Sequence, residues 1–247
     1  MTDPLTHPPV FGPPVLRVAG DMGLLVEFGA VYHPSINAAV LAFDAAFAAH
    51  LPRGVIETVP SFRSLLVRFD PVELAFERLE AQLNGLLGAR DWYRAPPPEA
   101  RKNWVLPAVY GGDFGPDLAE VADLMGLRED QVIDSHTASG MTVAMLGFAP
   151  GLAYLGQLPE IWDIPRRTTI NPKVPAGAVL VAVRQTVLPA TAIPTGWRQI
   201  AQTPFIGFQP KSAVPFLLSP GDQVRFRPVT AAEFSATGPD PAQWIQT

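Results

Sequence analysis

The segment between residues 146 and 177 holds more glycine and proline than a helix or a long strand tolerates. Glycine stands at 147, 151 and 156, and proline at 150, 159, 165, 172 and 175. Glycine loses the most backbone entropy on folding, and proline fixes φ and lacks an N–H donor. The segment is nevertheless too apolar for a solvated linker, since it includes Phe148, Leu152, Tyr154, Leu155 and Leu158. It is therefore predicted to be a fixed, packed loop.

Two interpretations of this loop stay open. In the first, its aromatic side chains wall a binding surface to which Arg166 and Arg167 contribute from the far end. Binding groups tend to sit on loops that a rigid scaffold positions, which favours this interpretation. In the second, the segment is a crossover loop that plugs one end of a barrel.

Composition limits the class of protein. The 247 residues are 48% hydrophobic and 17% charged, which favours a folded core over disorder. A net charge of −5 gives no footprint for nucleic acid or an anionic membrane, so neither is expected as a partner. The absence of cysteine excludes disulfides, a thiol nucleophile and thiolate zinc sites. Residues 135–159 carry no charge, but their Gly and Pro residues argue against a membrane span.

The first half alternates short strands with two helices. Residues 1–15, rich in proline, are predicted to be a disordered leader. Strands are predicted at 16–19, 24–28, 55–59 and 64–69. Pro34 begins one predicted helix, and Asp70 caps a second one in which Pro71 and Val72 lie in the first turn. The order ββαββα indicates a small α/β domain at 16–95. The prolines at 96–98 predict a stiff linker at its boundary.

The second half is predicted to be a barrel or sandwich with helical insertions. A strand at 104–110 leads to a helix that Gly126 ends, and a second helix at 128–136 precedes a strand at 141–146. Short apolar runs punctuated by Pro and Gly follow at 179–183, 197–201, 205–208, 216–218 and 224–226. The predicted domain covers 103–230, and 231–247 is predicted to be a peripheral tail.

Several common signals of chemistry are absent from the sequence. It contains no HxxxH, no HExxH and no carboxylate cluster at ligand spacing, so no metal site is predicted. It contains no GxxxxGK[ST] and no GxGxxG, so we expect this chain to bind no nucleotide cofactor. It also lacks the GxSxG of many serine hydrolases.

Three polar side chains are candidates for catalysis or substrate contact. His136 precedes the strand that enters the loop, and could act as a general acid–base or bond a carbonyl at a helix end. Arg166 and Arg167 could clamp a carboxylate, although one of them could instead pair with a nearby acid such as Glu160 or Asp163.

Further candidates are uncharged. Gln185 could bond a substrate amide or be a turn residue, and Trp197 could stack on a ligand or fill the barrel core. The predicted catalytic set is His136, Arg166, Arg167 and Gln185. The predicted substrate-binding set is Phe148, Pro150, Gly151, Tyr154 and Trp197.

A series of motifs runs in fixed order along residues 16–228. It includes Gly20-Asp21, Val59-Pro60-Ser61-Phe62, Tyr110-Gly111-Gly112, Gly115-Pro116-Asp117-Leu118, His136, Gly147-Phe148-x-Pro150-Gly151-x-x-Tyr154-Leu155-Gly156, Pro165-Arg166-Arg167, Val174-Pro175-Ala176-Gly177, Gln185-Thr186 and Gly196-Trp197. This series resembles the family that comprises the B-type subunit of 5-oxoprolinase, allophanate hydrolase subunit 1 and sporulation-kinase-inhibitor-like proteins.

The resemblance implies a fold and an activity. The implied fold class is α+β, with an N-terminal ferredoxin-like α/β domain and a C-terminal cyclophilin-like β-barrel. The implied partner is a larger homologous carboxyltransferase-like subunit, the two resembling the halves of a carboxyltransferase domain in urea amidolyase. With a third protein, the pair cleaves the lactam of 5-oxoproline to glutamate using ATP. A carboxylate-bearing substrate suits an arginine clamp.

The sequence departs from the family pattern on one side of the implied site. Asn171 stands where the family has a third arginine, and Ala182-Val183 stands where it has a Gly-Gly pair. Val187 stands where the family has a glycine after Gln-Thr. Pro189 replaces a tyrosine of the family pattern, and Thr195 replaces the first glycine of its Pro-Gly-Gly-Trp motif. Glycines that let a ligand approach the backbone have therefore become larger residues. Either the substrate differs, or the fold is kept and the activity is lost.

These observations predict a non-autonomous subunit of a cytoplasmic, ATP-dependent amide or lactam hydrolase complex, inactive alone, which acts on a small-molecule amide. The alternative is a non-catalytic binding or regulatory protein of the kinase-inhibitor type that uses the same barrel. A proline-isomerase-like activity rests on fold analogy alone.

Overall fold

The structure, a computed structural model, describes residues 11–95, 102–236 and 241–246. The chain divides into two units, Met1–Pro98 and Glu99–Thr247. Residues 1–10 of the predicted leader and the prolines at 96–98 lie outside the described residues.

The first unit is a four-stranded antiparallel sheet with two helices. Its elements are β1 (Val15–Val18), β2 (Gly23–Glu27), α1 (Pro34–Ala48), β3 (Val55–Pro60), β4 (Ser64–Phe69) and α2 (Phe76–Leu87). The strand order is β1-β2-β4-β3. Strand alternation places Leu24 opposite Val67, both buried, in one core cluster with Phe43 of α1 and Leu79 of α2.

The second helix begins later than predicted. Asp70 accepts a hydrogen bond from the Val72 N–H at 2.9 Å, and its carbonyl accepts one from the Leu74 N–H at 2.9 Å. These bonds close a single turn that leaves Val72 92% exposed and buries Leu74. The helix starts at Phe76, so the predicted cap at Asp70 is wrong.

The described end of the predicted leader packs against the first unit. The ring of Phe11 lies 4.9 Å from that of Tyr93, and the Tyr93 hydroxyl donates to the carbonyl of Gly12 at 2.9 Å. These contacts hold Phe11 and Gly12 in place, and Val15, the last residue of the predicted leader, begins β1.

In its described residues the second unit contains ten strands, and two of its three α-helices lie together between the first strand and the second. The elements are β5 (Asn103–Tyr110), α3 (Leu118–Met125), α4 (Glu129–Ala138), β6 (Met141–Leu146), β7 (Ala153–Gly156), β8 (Asn171–Val174), β9 (Ala178–Ala182), β10 (Gln185–Leu188), β11 (Ile193–Thr195), β12 (Arg198–Gln202), β13 (Gln223–Pro228), α5 (Ala231–Ala236) and β14 (Ile245–Gln246).

Seven of these strands close into a barrel. The order is β12-β9-β10-β7-β6-β13-β5, and β5 pairs again with β12 through Ala201 opposite Tyr110. The expectation of a mixed α/β chain with a β-barrel is confirmed. All residues of β9 and β10 are buried, because both faces of these strands are covered. Val179 and Val181 face the main core, whereas Leu180 packs in a second cluster with Trp197.

Three predictions for the second unit need correction. The predicted strands at 205–208 and 216–218 meet only in an isolated bridge between Phe208 and Phe216. Strand β7 lies inside the segment predicted to be a loop throughout. Part of the predicted peripheral tail packs into the unit, because β14 pairs with β5 and buried Trp244 packs against Phe205, whereas α5 buries no residue.

Within the described residues, every helix falls short of the length and apolarity that crossing a bilayer requires.

Candidate functional site

The loop between β6 and β7, residues 147–152, presents Phe148 at the surface. The N–H of Gly147 donates to the carbonyl of Leu152 at 3.1 Å and closes the loop. Gly151 has a φ of 71°, and a Cβ there would lie 2.4 Å from Cβ of Phe208, so the position requires glycine. Phe148 is held 74% exposed, at a φ of 70°.

Residues 164–170, here called the arginine segment, contact the backbone at Gly196, two residues before β12. The N–H of Arg167 donates to the carbonyl of Gly196 at 2.7 Å. A Cβ on Gly196 would lie 3.0 Å from the carbonyl oxygen of Arg167, closer than a side chain comfortably allows. Glycine at 196 therefore permits the close approach of the Arg167 backbone that this hydrogen bond requires.

A cavity of about 390 Å³ opens between the loop and the arginine segment. This volume falls within the range of roughly 300–1,000 Å³ that is typical of small-molecule sites. The cavity is lined by Phe148, Leu152, Tyr154, Arg166, Arg167, Ile170, Val187, Ile193, Pro194, Thr195, Gly196 and Trp197. Five of the nine predicted site residues therefore meet there: Phe148, Tyr154, Arg166, Arg167 and Trp197.

Aromatic rings and one arginine form a wall of this cavity. The Cζ of Arg166 lies 5.1 Å from the centroid of the Trp197 ring, within the range of a cation–π interaction. The rings of Tyr154 and Trp197 meet edge to face, 6.2 Å apart. Burial raises the pKa of Tyr154, although the charge of Arg166 opposes that shift. Tyr154 is therefore a neutral phenol at physiological pH.

The two adjacent arginines have different electrostatic environments. Arg167 donates to Asp117 at 2.8 Å and also pairs with Glu120, which accepts from Arg198 at 2.8 Å. Hydrogen bonds from Arg167 and Arg198 lower the pKa of Glu120. Among the described residues, no carboxylate forms an ion pair with Arg166. The positive charge available to an anion is therefore that of Arg166.

One arginine of the pair, Arg167, does pair with acids, but they are not the ones that were expected. Glu160 and Asp163 are near in sequence, but the acids that neutralise Arg167 are Asp117, just before α3, and Glu120 in its first turn. These residues sit three apart at the start of a helix, where carboxylates are favoured. The motif containing Asp117 gave this signal, but sequence reasoning assigned it no role.

A second cavity, of about 630 Å³, lies along the arginine segment. It is lined by Glu120, Pro165, Arg166, Arg167, Thr168, Thr169, Ile170, Asn171, Pro172 and Arg198. Its lining carries more charged side chains than that of the first cavity, because Glu120 and Arg198 line it together with both arginines of the segment. Arg166 and Arg167 line both cavities.

His136 lies inside the barrel core and lines neither cavity. Its Nδ1 is 2.7 Å from the Tyr110 hydroxyl, and its Nε2 is 2.9 Å from Oγ1 of Thr186. The ring is fully buried against Phe226 and Trp162. Burial lowers its pKa to about 3, so the imidazole is neutral at physiological pH. Its partners are two side-chain hydroxyls rather than a carbonyl.

Three other predicted residues do not line the cavity. Pro150 and Gly151 belong to the loop, and Gly151 lies so close to Phe208 that a side chain at position 151 would clash with it. Gln185 is buried at the start of β10, opposite Gly156 and Ala182.

The departures from the family pattern fall in different places. Val187 and Thr195 line the first cavity, and Asn171 lines the second. Ala182 and Val183 lie where β9 ends and the turn to β10 begins, and Val183 has a φ of 45°. Such a φ is unusual for a β-branched residue, as expected where a glycine has been replaced. The carbonyl of Pro189 accepts from the Gly177 N–H at 2.8 Å.

The first cavity has groups that can bind an anion, but its described lining has no group that could activate a nucleophile. It offers a guanidinium, the hydroxyls of Tyr154 and Thr195, and apolar walls. Among the described residues, its lining contains no histidine, acid or lysine that could serve as a general base. Within the described ranges, no group of three or more His, Asp or Glu residues could hold a metal ion.

The second unit is a seven-stranded β-barrel domain with a cavity beside it, and sequence comparison gives its family. The family model "Carboxyltransferase domain, subdomain C and D" matches residues 14–218, and the chain belongs to this family. It is 34% identical over 230 residues to the B-type subunit of 5-oxoprolinase from Bacillus subtilis (strain 168), covering 88% of this chain and 93% of that protein.

Solved structures share the fold. The protein TTHA0988 is 30% identical with a TM-score of 0.72; the match covers 88% of this chain and 40% of that longer one. The urea amidolyase of K. lactis is 19% identical with a TM-score of 0.71, covering 90% of this chain and 15% of that one. At this identity the second match shows the fold alone.

Proposed function

We propose that this chain is a non-autonomous subunit of an ATP-dependent amide or lactam hydrolase complex that resembles 5-oxoprolinase. It acts in the cytoplasm with a larger homologous carboxyltransferase-like subunit and a third subunit. It binds no cofactor itself, and the complex uses ATP. The barrel is of the cyclophilin-like type. The first unit is a variant of the ferredoxin-like fold in which ββαββα replaces the usual βαββαβ order.

One observation carries the proposal. In the part of the chain that the structure describes, Arg166 stands without a carboxylate partner at an aromatic cavity. The chain is related along nearly its whole length to the B-type subunit of 5-oxoprolinase. A substrate carboxylate placed on Arg166 gains a charge-assisted hydrogen bond.

The predicted site residues divide under this proposal. Phe148, Tyr154 and Trp197 surround the remainder of the substrate. His136 and Gln185, predicted to be catalytic, are assigned structural roles because both are buried outside the cavity.

The same cavity explains why the chain needs partners. Its described lining holds no nucleophile–base pair, and the sequence has no recognised nucleotide cradle. The ATP-dependent activation of the amide and the attacking group therefore come from other subunits. Binding and orienting the substrate remain the task of this chain.

The test is co-expression with the larger partner and the third subunit, followed by assays of 5-oxoproline and other amides. We expect ATP-dependent release of the carboxylate product only when all subunits are present. Arg166→Ala should reduce this turnover, whereas Arg227→Ala, which removes an exposed arginine on β13, should not.

Three results would contradict the proposal: turnover by the single chain, unchanged turnover when this chain is omitted, or an assembled complex that hydrolyses none of the amides. The last result, combined with specific binding of a sensor kinase, would support the regulatory alternative instead.

A further inference from the structure

The charge of the first cavity selects for a single anionic group. Arg167 faces the cavity but is neutralised by Asp117 and Glu120, and Arg198 shares Glu120. The charges of Arg167 and Arg198 are thus balanced by those of two carboxylates. The positive charge that remains is that of Arg166. Within the described ranges, no acid lines the cavity to repel an anion.

Beyond the two arginines, the polar side chains of the described lining are the hydroxyls of Tyr154 and Thr195. Its described residues include no Asn or Gln, and the Oγ1 of Thr195 already accepts a hydrogen bond from the Trp197 N–H at 3.0 Å. Most of the remaining walls are aliphatic or aromatic: Phe148, Leu152, Ile170, Val187, Ile193, Pro194 and Trp197. A ligand gains from these walls by burying apolar area.

Two apolar side chains at the cavity mouth are exposed. Phe148 is 74% exposed and Ile170 is 63% exposed. Phe148 also adopts a φ of 70°, a conformation that is costly for a bulky residue and that clusters at ligand-binding sites. These two side chains at the rim of one cavity offer apolar area that a bound ligand could bury.

The volume indicates the size of that ligand. The cavity has a volume of about 390 Å³ and opens to solvent. A five-membered lactam with one carboxylate would leave much of this space, and the rim residues, in contact with water.

We infer that the cavity takes a monocarboxylate whose amide or lactam carries a flat apolar substituent, rather than unsubstituted 5-oxoproline. The carboxylate pairs with Arg166, and the apolar substituent lies between Phe148, Ile170 and Trp197. The inference rests on the proposed function and names the substrate class of that same site.

Calorimetry on the full chain tests the inference with N-benzoylglycine, its uncharged methyl ester and 5-oxoproline. N-benzoylglycine should bind at least about tenfold more tightly than 5-oxoproline, because its ring buries apolar area. The ester should bind at least about tenfold more weakly than the acid, because it lacks the charge-assisted bond. Arg166→Ala should weaken binding of the acid and leave binding of the ester unchanged, which a merely structural role would not do.

Variants separate the two halves of the inference. Ile170→Ser should weaken binding of N-benzoylglycine by a larger factor than binding of 5-oxoproline, and the control Arg227→Ala should change neither. Equal or tighter binding of 5-oxoproline would overturn the apolar selectivity and leave the proposed function intact. An Arg166→Ala variant that binds the acid normally, or a chain that binds none of the three probes at millimolar concentration, would overturn the inference as a whole. The proposed function fails separately, by loss of ATP-dependent turnover in the assembled complex.

Discussion

Arg198 donates from Nε to Oε1 of Glu120 at 2.8 Å, and this carboxylate is its one ion-pair partner among the described residues. The Arg198 side chain is only 7% exposed, and its Nη1 donates to the carbonyl of Pro165 at 2.5 Å. Glu120 thus joins the strand that follows Trp197 to the arginine segment. The network holds the segment in place while Arg166 stays available.

This arrangement predicts unequal costs for two truncations. Glu120→Ala should lower the free energy of unfolding by about 1–3 kcal/mol, because it leaves the buried Arg198 charge without a carboxylate. Arg167→Ala should cost less, about 1 kcal/mol, since Glu120 keeps Arg198 and Asp117 keeps the N–H of Gln199 at 2.7 Å. Urea denaturation of both variants measures the difference. The reverse order would show that Arg167, and not Arg198, depends on Glu120.

The buried imidazole of His136 predicts a specific dependence on pH. The folded protein keeps the ring neutral because burial lowers its pKa to about 3, whereas the unfolded chain takes up a proton near pH 6.5. Acid therefore favours the unfolded state. The neutral ring contributes fully to the free energy of unfolding above about pH 6.5, and below that pH the contribution falls by roughly 1.4 kcal/mol for each pH unit.

His136→Gln isolates this effect. The variant should be less stable at neutral pH by about 1–3 kcal/mol, because the pairing with Tyr110 and Thr186 is disturbed. Its stability should then fall less steeply than that of the parent between about pH 7 and pH 5. Denaturation curves across that range provide the comparison. Parallel pH profiles would mean that the ring is accessible to protons in the folded state.

Local rules predicted the elements whose signals lie within one stretch of chain. Pro34 at a helix start, the strand at Ser64–Phe69 and the strand at Met141–Leu146 were all predicted with correct positions. Closure of the barrel could not be predicted in this way. It depends on Ala201 meeting Tyr110, and sequence periodicity carries no information about pairing over such separations.

The candidate site divides in the same way. Aromatic and arginine residues on a glycine-rich loop could be predicted to bind a ligand, and Phe148 and Trp197 do line one cavity. The partner of Arg167 could not be predicted, because α3 brings Asp117 to it from far along the chain. The burial of His136 could not be predicted, because a histidine that precedes a strand can face the core as readily as a cavity.

The turn between β9 and β10 predicts a stabilising substitution. Val183 and Arg184 both have positive φ, at 45° and 62°, as in the two-residue turn that favours Asn and Gly. Val183→Asn should raise the free energy of unfolding by about 1 kcal/mol, since Asn tolerates this conformation better than a β-branched residue. Thermal melting should rise by roughly 2–4 °C. The matched control is Val214→Asn, at an exposed valine without positive φ. An equal gain in both variants would attribute the effect to the added polar side chain instead of the relieved turn.

The two units are predicted to fold separately when the chain is divided in the segment between them. The core cluster around Phe43 belongs to residues before 96, whereas the clusters around Val181 and Leu180 belong to residues after 101, and these described clusters share no residue. Fragments 1–95 and 102–247 should therefore each unfold cooperatively in urea. Trp92 is the one tryptophan of the first fragment and is buried against Phe43, so its fluorescence reports on that core alone. A fragment in which Trp92 emits as a solvated indole, with no cooperative transition, would show that the first unit needs the second to fold.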